Sequence, residues 1–315
     1  MLSKFLDPKN DVAFKKIFGS EKNKDILIHF LNDVLGFTGN NQIHDVEFLS
    51  PIQDPEIASK KQSLVDVLCK DKLGVQYIVE MQVAPAKGFE KRAQYYAAKA
   101  YCRQADKGQG EAGKYNNLKE IIFIAIADCV LFPEKKEYKS DHVILDKNSY
   151  EHDLKDFYFT FIELPKFPKK KGDKLENLVE KWCYYFKYAD ETSGEDLERI
   201  IGSDLVIRRA YEALAQFNWT EPELLAYEQE TKRVWDNQAV MEAALDAATE
   251  KATAKGLAQG MAEGMAKGMA KGMVEEKIAM AKEMLKEGYP IEVISRLTKL
   301  SREEIDKLNK TEILI

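Results

Sequence analysis

The residues with the clearest chemistry are Asp66, Glu80 and Gln82. Asp66 sits in Leu64-Val65-Asp66-Val67-Leu68-Cys69, and Glu80 in Tyr77-Ile78-Val79-Glu80-Met81-Gln82-Val83. Both runs are apolar and β-branched enough to be strands. A three-residue loop between them, Lys72-Leu73-Gly74, puts a glycine where such loops need φ > 0. That register pairs Asp71 with Val75, and counting outward pairs Asp66 with Glu80, leaving Gln82 two residues along on the same face. Like charges directly opposite on neighbouring strands are destabilising. A hard divalent cation that takes oxygen ligands from both makes the pair favourable. It also polarises a phosphoryl oxygen and lowers the pKa of an attacking water. Spacing alone fits equally well two acids at the solvated end of a sheet. Their apolar surroundings argue for coordination, because a carboxylate there is costly unless paired or coordinated.

Turn signals and periodicity define the elements that must hold these residues. Residues 11–18 and 25–35 read as helices ended by Gly19 and Gly36. Strands are expected at 43–49, 63–69 and 75–83, followed by a helix at 89–103. The unbroken apolar run 121–127 has the length of a buried central strand, with further strands at 142–145 and 157–164. Beyond Pro168 strand signals stop, and 173–188, 194–216 and 221–236 read as helices with charged outer faces. The expected domains are a mixed α/β core over 1–168, a helical extension over 169–237, a glycine-periodic helix over 238–287 and a helical hairpin over 288–315.

Asp66, followed fourteen residues later by Glu80-Met81-Gln82, is similar to the D…(D/E)xK signature of the PD-(D/E)XK nuclease superfamily, with glutamine in the lysine place. Three ordered segments narrow the likeness: Asp11-Val12-Ala13-Phe14-Lys15-Lys16-Ile17-Phe18, Val79-Glu80-Met81-Gln82 and Lys91-Arg92-Ala93-Gln94-Tyr95-Tyr96. Together they resemble the recombination-promoting nuclease and transposase family, over roughly residues 5–165 and again in the glycine-periodic tail. The resemblance implies an α/β, restriction-endonuclease-like core with a central mixed sheet, then an all-helical extension and a long C-terminal helix. It implies a DNA endonuclease dependent on Mg2+, with Mn2+ as the substitute, acting in recombination, mobile-element biology or defence. Asp66 and Glu80 would ligate the metal. Asp11 corresponds to the acid such nucleases often place near it; the other reading of Asp11 is a helix N-cap next to Asn10. Lys15, one turn on, reads as a phosphate contact or as Asp11's ion-pair partner.

Gln82 departs from the signature, since a glutamine orients water only by hydrogen bonding. Positive charge is then expected from Arg92 on the following helix, with Lys91 as second choice. The bland reading of Arg92 is a surface ion pair with Glu90, and Tyr96 serves equally as core packing or phosphate contact. The departure also supports a second function: a catalytically degraded nuclease fold used as a DNA-binding or protein-interaction module. An RNA nuclease is a third.

The remaining features bound the setting. The formal net charge of −6 does not suit a protein that coats nucleic acid, so any DNA affinity must come from local charge. Four cysteines without a CxxC pair, and only four histidines, point to reduced thiols in a cytoplasmic protein rather than to zinc. No apolar run approaches the ~20 residues of a membrane span, and residues 1–10 lack an export pattern. Lys169-Lys170-Lys171 reads as a solvated loop. Glycines at 256, 260, 264, 268 and 272, each followed by leucine or methionine, read as one helix that associates with another copy, or else as a frayed linker. Ser301 and Glu304 form a capping box in the C-terminal hairpin. Its outline is that of a helix-turn-helix, but Glu303, Glu304 and Asp306 favour an interaction module.

Overall fold

The computed structural model describes residues 4–51, 65–105, 115–202 and 204–312. The chain divides into two compact units, Met1–Val234 and Trp235–Ile315.

In the first unit, helices α1 (Asp11–Phe18) and α2 (Lys24–Leu35) precede strands β1 (Val46–Phe48), β2 (Val67–Asp71) and β3 (Gln76–Gln82). Helix α3 (Phe89–Ala105) then leads to β4 (Ile121–Ala127), β5 (Lys139–Val143) and β6 (Phe157–Glu163). Helices α4 (Leu178–Tyr188), α5 (Gly194–Ile201) and α6 (Leu205–Leu214) complete the packing, and α7 (Glu221–Lys286) begins here. The strands form one mixed sheet in the order β1-β2-β3-β4-β6-β5. β3, β4 and β6 run parallel, and the outer pairs are antiparallel. All of β4 is buried, as its unbroken apolar run requires.

The period of two along each strand feeds two cores. Val67, Cys69, Tyr77, Val79, Ile122 and Ile124 join the larger one, with Phe14 and Phe18 of α1, Phe30 of α2 and Trp182 and Phe186 of α4. Their rings pack edge-on, Phe18 to Phe30 at 5.3 Å and Phe30 to Trp182 at 5.4 Å. Leu68, Ile78, Phe123 and Ala125 face the opposite way, toward Phe89, Ala93 and Ala97 of α3. A residue on this second face near the ends of β2 and β3 therefore lies under α3.

Several boundaries differ from expectation, each for a local reason. The strand expected at 43–49 shrinks to Val46–Phe48, because the Asn32 side chain takes both main-chain groups of Ile43, at 2.8 and 2.9 Å. Of the strand expected at 63–69, Ser63 and Leu64 lie outside the described residues, and regular pairing starts at Val67. The strand expected at 142–145 is Lys139–Val143, set by pairing with β6. The helix expected from 173 starts at Leu178, since Asn177 caps it and the Asp173 carboxylate instead closes a turn on the Lys170 amide. The helix expected over 194–216 is two helices, broken at Gly202, whose φ of +55° no right-handed helix accommodates. Cys102 is exposed on α3, whereas Cys69, Cys129 and Cys183 are buried, and all are free thiols. Of the three lysines at 169–171, Lys169 pairs with Glu176 and Lys171 with Glu191.

Helix α7 runs unbroken from Glu221 to Lys286, joining the two helices expected there. In the second unit, Leu257, Met261, Met265, Met269 and Met273 are all exposed. The last turns of α7 supply Ile278, Ala281, Met284 and Leu285 to a small core with α8 (Ile291–Thr298) and α9 (Arg302–Glu312). The capping box forms, with the Ser301 amide donating to Glu304 Oε2 at 2.8 Å and the Glu304 amide to Ser301 Oγ at 3.3 Å. No helix among the described residues is long and apolar enough to cross a membrane.

Candidate functional site

The turn between β2 and β3 fixes the site's register. Gly74 takes φ +88°, and the Asp71 carboxylate accepts from the Leu73 and Val75 amides at 2.9 and 3.0 Å. Pairing then runs Lys70 with Gln76, Cys69 with Tyr77, Leu68 with Ile78 and Val67 with Val79. One step outward, Asp66 stands opposite Glu80. Their carboxylates cross over: the Asp66 amide donates to Glu80 Oε1 at 3.2 Å, and the Met81 amide to Asp66 Oδ2 at 2.9 Å. These bonds replace the next rung of the ladder, which is why β2 begins only at Val67.

Glu80 is 6 % exposed. Burial pushes its carboxyl up to about 8, the Asp66 charge adds to this, and Arg92, the Asp66 amide and Lys15 oppose it. Asp66 is raised too, chiefly by burial, against the Met81 amide and the Lys15 charge. A buried acid and a half-buried one that repel each other are an unfavourable arrangement without positive charge between them.

Two cations come near from different helices. On α1, Asn10 Oδ1 accepts from the Val12 and Ala13 amides, so Asn10 is the cap and Asp11 the first helical residue. Lys15 Nζ lies 2.6 Å from Asp11 Oδ1 and 3.6 Å from Asp66 Oδ1. Burial works against the Lys15 charge, but Asp11 and Asp66 outweigh it and raise the pKa. On α3, an Arg92 guanidinium nitrogen donates to Gln82 Oε1 at 2.5 Å. The guanidinium also lies over the Phe89 ring, 4.8 Å from its centre. Gln82 Nε2 donates in turn to the Ala84 carbonyl. Arg92 thus engages Gln82 and not Glu90, the alternative surface pairing, while Lys91 is exposed. Arg92 Nε is buried without a partner among the described residues. Tyr96, one turn further, is raised by burial, with Arg92 opposing and Glu80 and Asp66 adding, which puts its hydroxyl in the same electrostatic neighbourhood.

Asp66, Glu80, Gln82, Asp11 and Arg92 are therefore brought to one end of the β2–β3 pair. The contact between Lys15 and Asp66 joins α1 to β2, and sequence reasoning missed it. The only signal for it was the i,i+4 spacing of Asp11 and Lys15. Among the described residues, no cluster of three or more His, Cys, Asp or Glu side chains has metal-holding geometry.

The model of the PD-(D/E)XK nuclease family transposase matches residues 8–244, well over half the chain and all the elements of this site. The chain belongs to that family. A second model, the Rpn/YhgA-like nuclease family C-terminal HTH domain, matches residues 274–310. That match begins inside α7 and takes in α8 and most of α9, the segments that share the small C-terminal core. The helix-turn-helix outline, set aside on charge, is the motif this model describes. No curated protein and no solved structure matches the chain. The family and the mixed sheet agree with a restriction-endonuclease-like α/β fold, and the family assignment supports a nuclease- or transposase-like function.

Proposed function

We propose that this protein is a divalent-metal-dependent DNA endonuclease with Asp66 and Glu80 as its metal ligands. The carrying observation is the pair itself: a buried Glu80 carboxylate and a half-buried Asp66 carboxylate, opposed at the ends of β2 and β3, each stabilised only in part by a main-chain amide from the other strand. The donor set fits a hard cation. Mg2+ binds through one or two carboxylates and keeps several waters, so two acids suffice, and Mn2+ accepts the same ligands. When bound, the ion would supply Lewis-acid polarisation of the phosphate and a more acidic water.

The chain's own residues account for orientation. Gln82, on the same face as Glu80, offers an amide fixed at both ends, by Arg92 and by the Ala84 carbonyl. It can orient a water but adds no charge. Arg92, drawn to Gln82, leaves its positive field on Glu80. The helix-turn-helix match supports DNA as the partner, and the family's transposase description supports a role in recombination or mobile-element biology in the cytoplasm. Self-association through α7 is part of this reading, because its leucine and methionines at four-residue spacing are exposed beside glycines where an added Cβ meets nothing. A pair of copies would bring two sites to opposite strands.

Supercoiled plasmid, incubated with the full chain in Mg2+, in EDTA and with Asp66→Ala, tests the proposal. Nicking or linearisation that needs metal and disappears in the variant is expected. One observation favours a second reading, a degraded nuclease fold that binds DNA without cutting it: Gln82 stands where the signature has lysine. Folded protein that binds Mn2+ and DNA yet cuts neither strand in Mg2+ or Mn2+ would establish that reading instead.

A further inference from the structure

We propose that Lys15 is the cation that the signature otherwise places at position 82, and that its ammonium binds a non-bridging oxygen of the reacting phosphate. The proposal rests on the nuclease reading above. Of the two cations near the carboxylates, Arg92 is committed. It holds Gln82 at 2.5 Å and lies over the Phe89 ring, and its Nε is closed off from solvent. Swinging it toward a phosphate would release Gln82, the side chain proposed to orient water.

Lys15 is placed differently. Its side chain is 36 % exposed, so the ammonium borders both the carboxylates and solvent. One of its three N–H groups serves Asp11 at 2.6 Å, and Asp66 at 3.6 Å is too far for a hydrogen bond. A donor is therefore available beside the proposed metal ligand, where an incoming phosphate oxygen would arrive. Asp11 is the positioning residue. By taking the short bond, it holds the ammonium next to Asp66 rather than on it, so the carboxylate that must ligate a metal is not neutralised by its own lysine. The helix carrying the pair is well fixed, capped by Asn10 and anchored by buried Ala13, Phe14, Ile17 and Phe18. Asp11 and Lys15 are one turn apart on that rigid helix, so they act as one unit delivered to the strand ends.

The assignment gives metal binding and DNA chemistry opposite signs. The test uses the full chain, with thermal unfolding to establish that each variant is folded, and measures Mn2+ binding to the protein alone alongside plasmid cleavage. Lys15→Ala should lose about a hundredfold in kcat, as removal of one preorganised donor to a reacting oxygen does, while Lys15→Arg keeps most of the activity. Mn2+ binding by Lys15→Ala should be as tight as in the natural protein or tighter. Asp11→Asn should weaken Mn2+ binding, because the freed ammonium falls onto Asp66, and adding Lys15→Ala should restore it. Cleavage by Lys15→Ala at the natural rate would overturn the proposal. So would loss of Mn2+ binding and cleavage together in Lys15→Ala, which would make Lys15 a support for Asp66 only. If the natural protein binds Mn2+ without cutting, the nuclease reading fails separately. Lys15 is then judged on DNA binding in Ca2+, where a salt dependence unchanged by Lys15→Ala overturns its phosphate contact.

Discussion

Glu80→Gln gives the sharpest test of whether the carboxylate pair is strained until a cation arrives. In the folded protein the Glu80 carboxyl is pushed up to about 8 from an ordinary value of 4.5, by burial first and by Asp66 second. The native state therefore keeps a proton that the unfolded chain gives up. Stability attributable to Glu80 is undiminished below about pH 4.5, falls as pH rises toward about 8 and is level above that. The gap between 4.5 and about 8, at about 1.4 kcal/mol per tenfold step, sets a ceiling of about 5 kcal/mol. Relaxation and water entry around a buried ion reduce this, and we expect about 2–4 kcal/mol. Glutamine keeps an oxygen to accept the Asp66 amide but carries no charge. In EDTA, urea unfolding at pH 8.5 should find Glu80→Gln about 2–4 kcal/mol more stable than the natural protein, with the difference vanishing near pH 4.5. Mg2+ should close most or all of that gap, adding about 2.7 kcal/mol to the natural protein at a hundred times its Kd and nothing to the variant. Equal stabilities at pH 8.5 in EDTA, or equal gains from Mg2+, would refute the reasoning that this pair is built for a cation.

Three further outcomes follow from contacts in the first unit and from α7. Arg92→Lys loses both the guanidinium's contact over Phe89 and the hold on Gln82, so plasmid cleavage should fall about tenfold or more, with little change in thermal stability. Asn10→Ala removes the α1 cap and should cost about 1–2 kcal/mol in urea unfolding. Gly260, Gly264 and Gly268 replaced together by alanine should raise helix stability by about 1 kcal/mol each, since an added Cβ meets nothing in the single chain. Sedimentation of that variant should show weaker self-association if the glycine stripe is the contact, an opposite sign that separates intrinsic helix stability from assembly.

The parts of the fold that were legible in the sequence are those decided by neighbours in the chain. The seven apolar residues of β4 were recognised because a fully buried strand needs no alternation. The Asp66–Glu80 register followed from one loop glycine, and the observed ladder carries the same count. What stayed hidden was decided across the fold. Nothing local to Ile43 announces that a side chain eleven residues earlier takes its main-chain bonds. Gly202 looked like a tolerable glycine inside a helix until its left-handed backbone and the Asp204 cap showed two helices. In the site, the members on one hairpin could be aligned by counting, whereas Lys15 reaches Asp66 only because α1 packs on the sheet.

The same packing ties the site to α7. The Asn10 side chain works in two directions: its oxygen caps α1, and its nitrogen donates to the Tyr227 carbonyl at 3.2 Å and to Thr231 Oγ1 at 3.0 Å. The Tyr227 hydroxyl accepts from the Asp7 amide at 3.0 Å, and Lys16 pairs with Glu223 at 2.6 Å while lying over Trp219. Three hydrogen bonds and one ion pair thus fasten the first turns of α7 to α1 and the residues just before it. Asn10 is the shared element, so the cap that orients α1 and the seat of α7 cannot be lost independently. The position of the Lys15 ammonium beside Asp66 therefore depends on two segments more than two hundred residues apart in the chain. The family match likewise does not stop at the sheet but runs on to residue 244, taking in the turns of α7 that hold α1 in place.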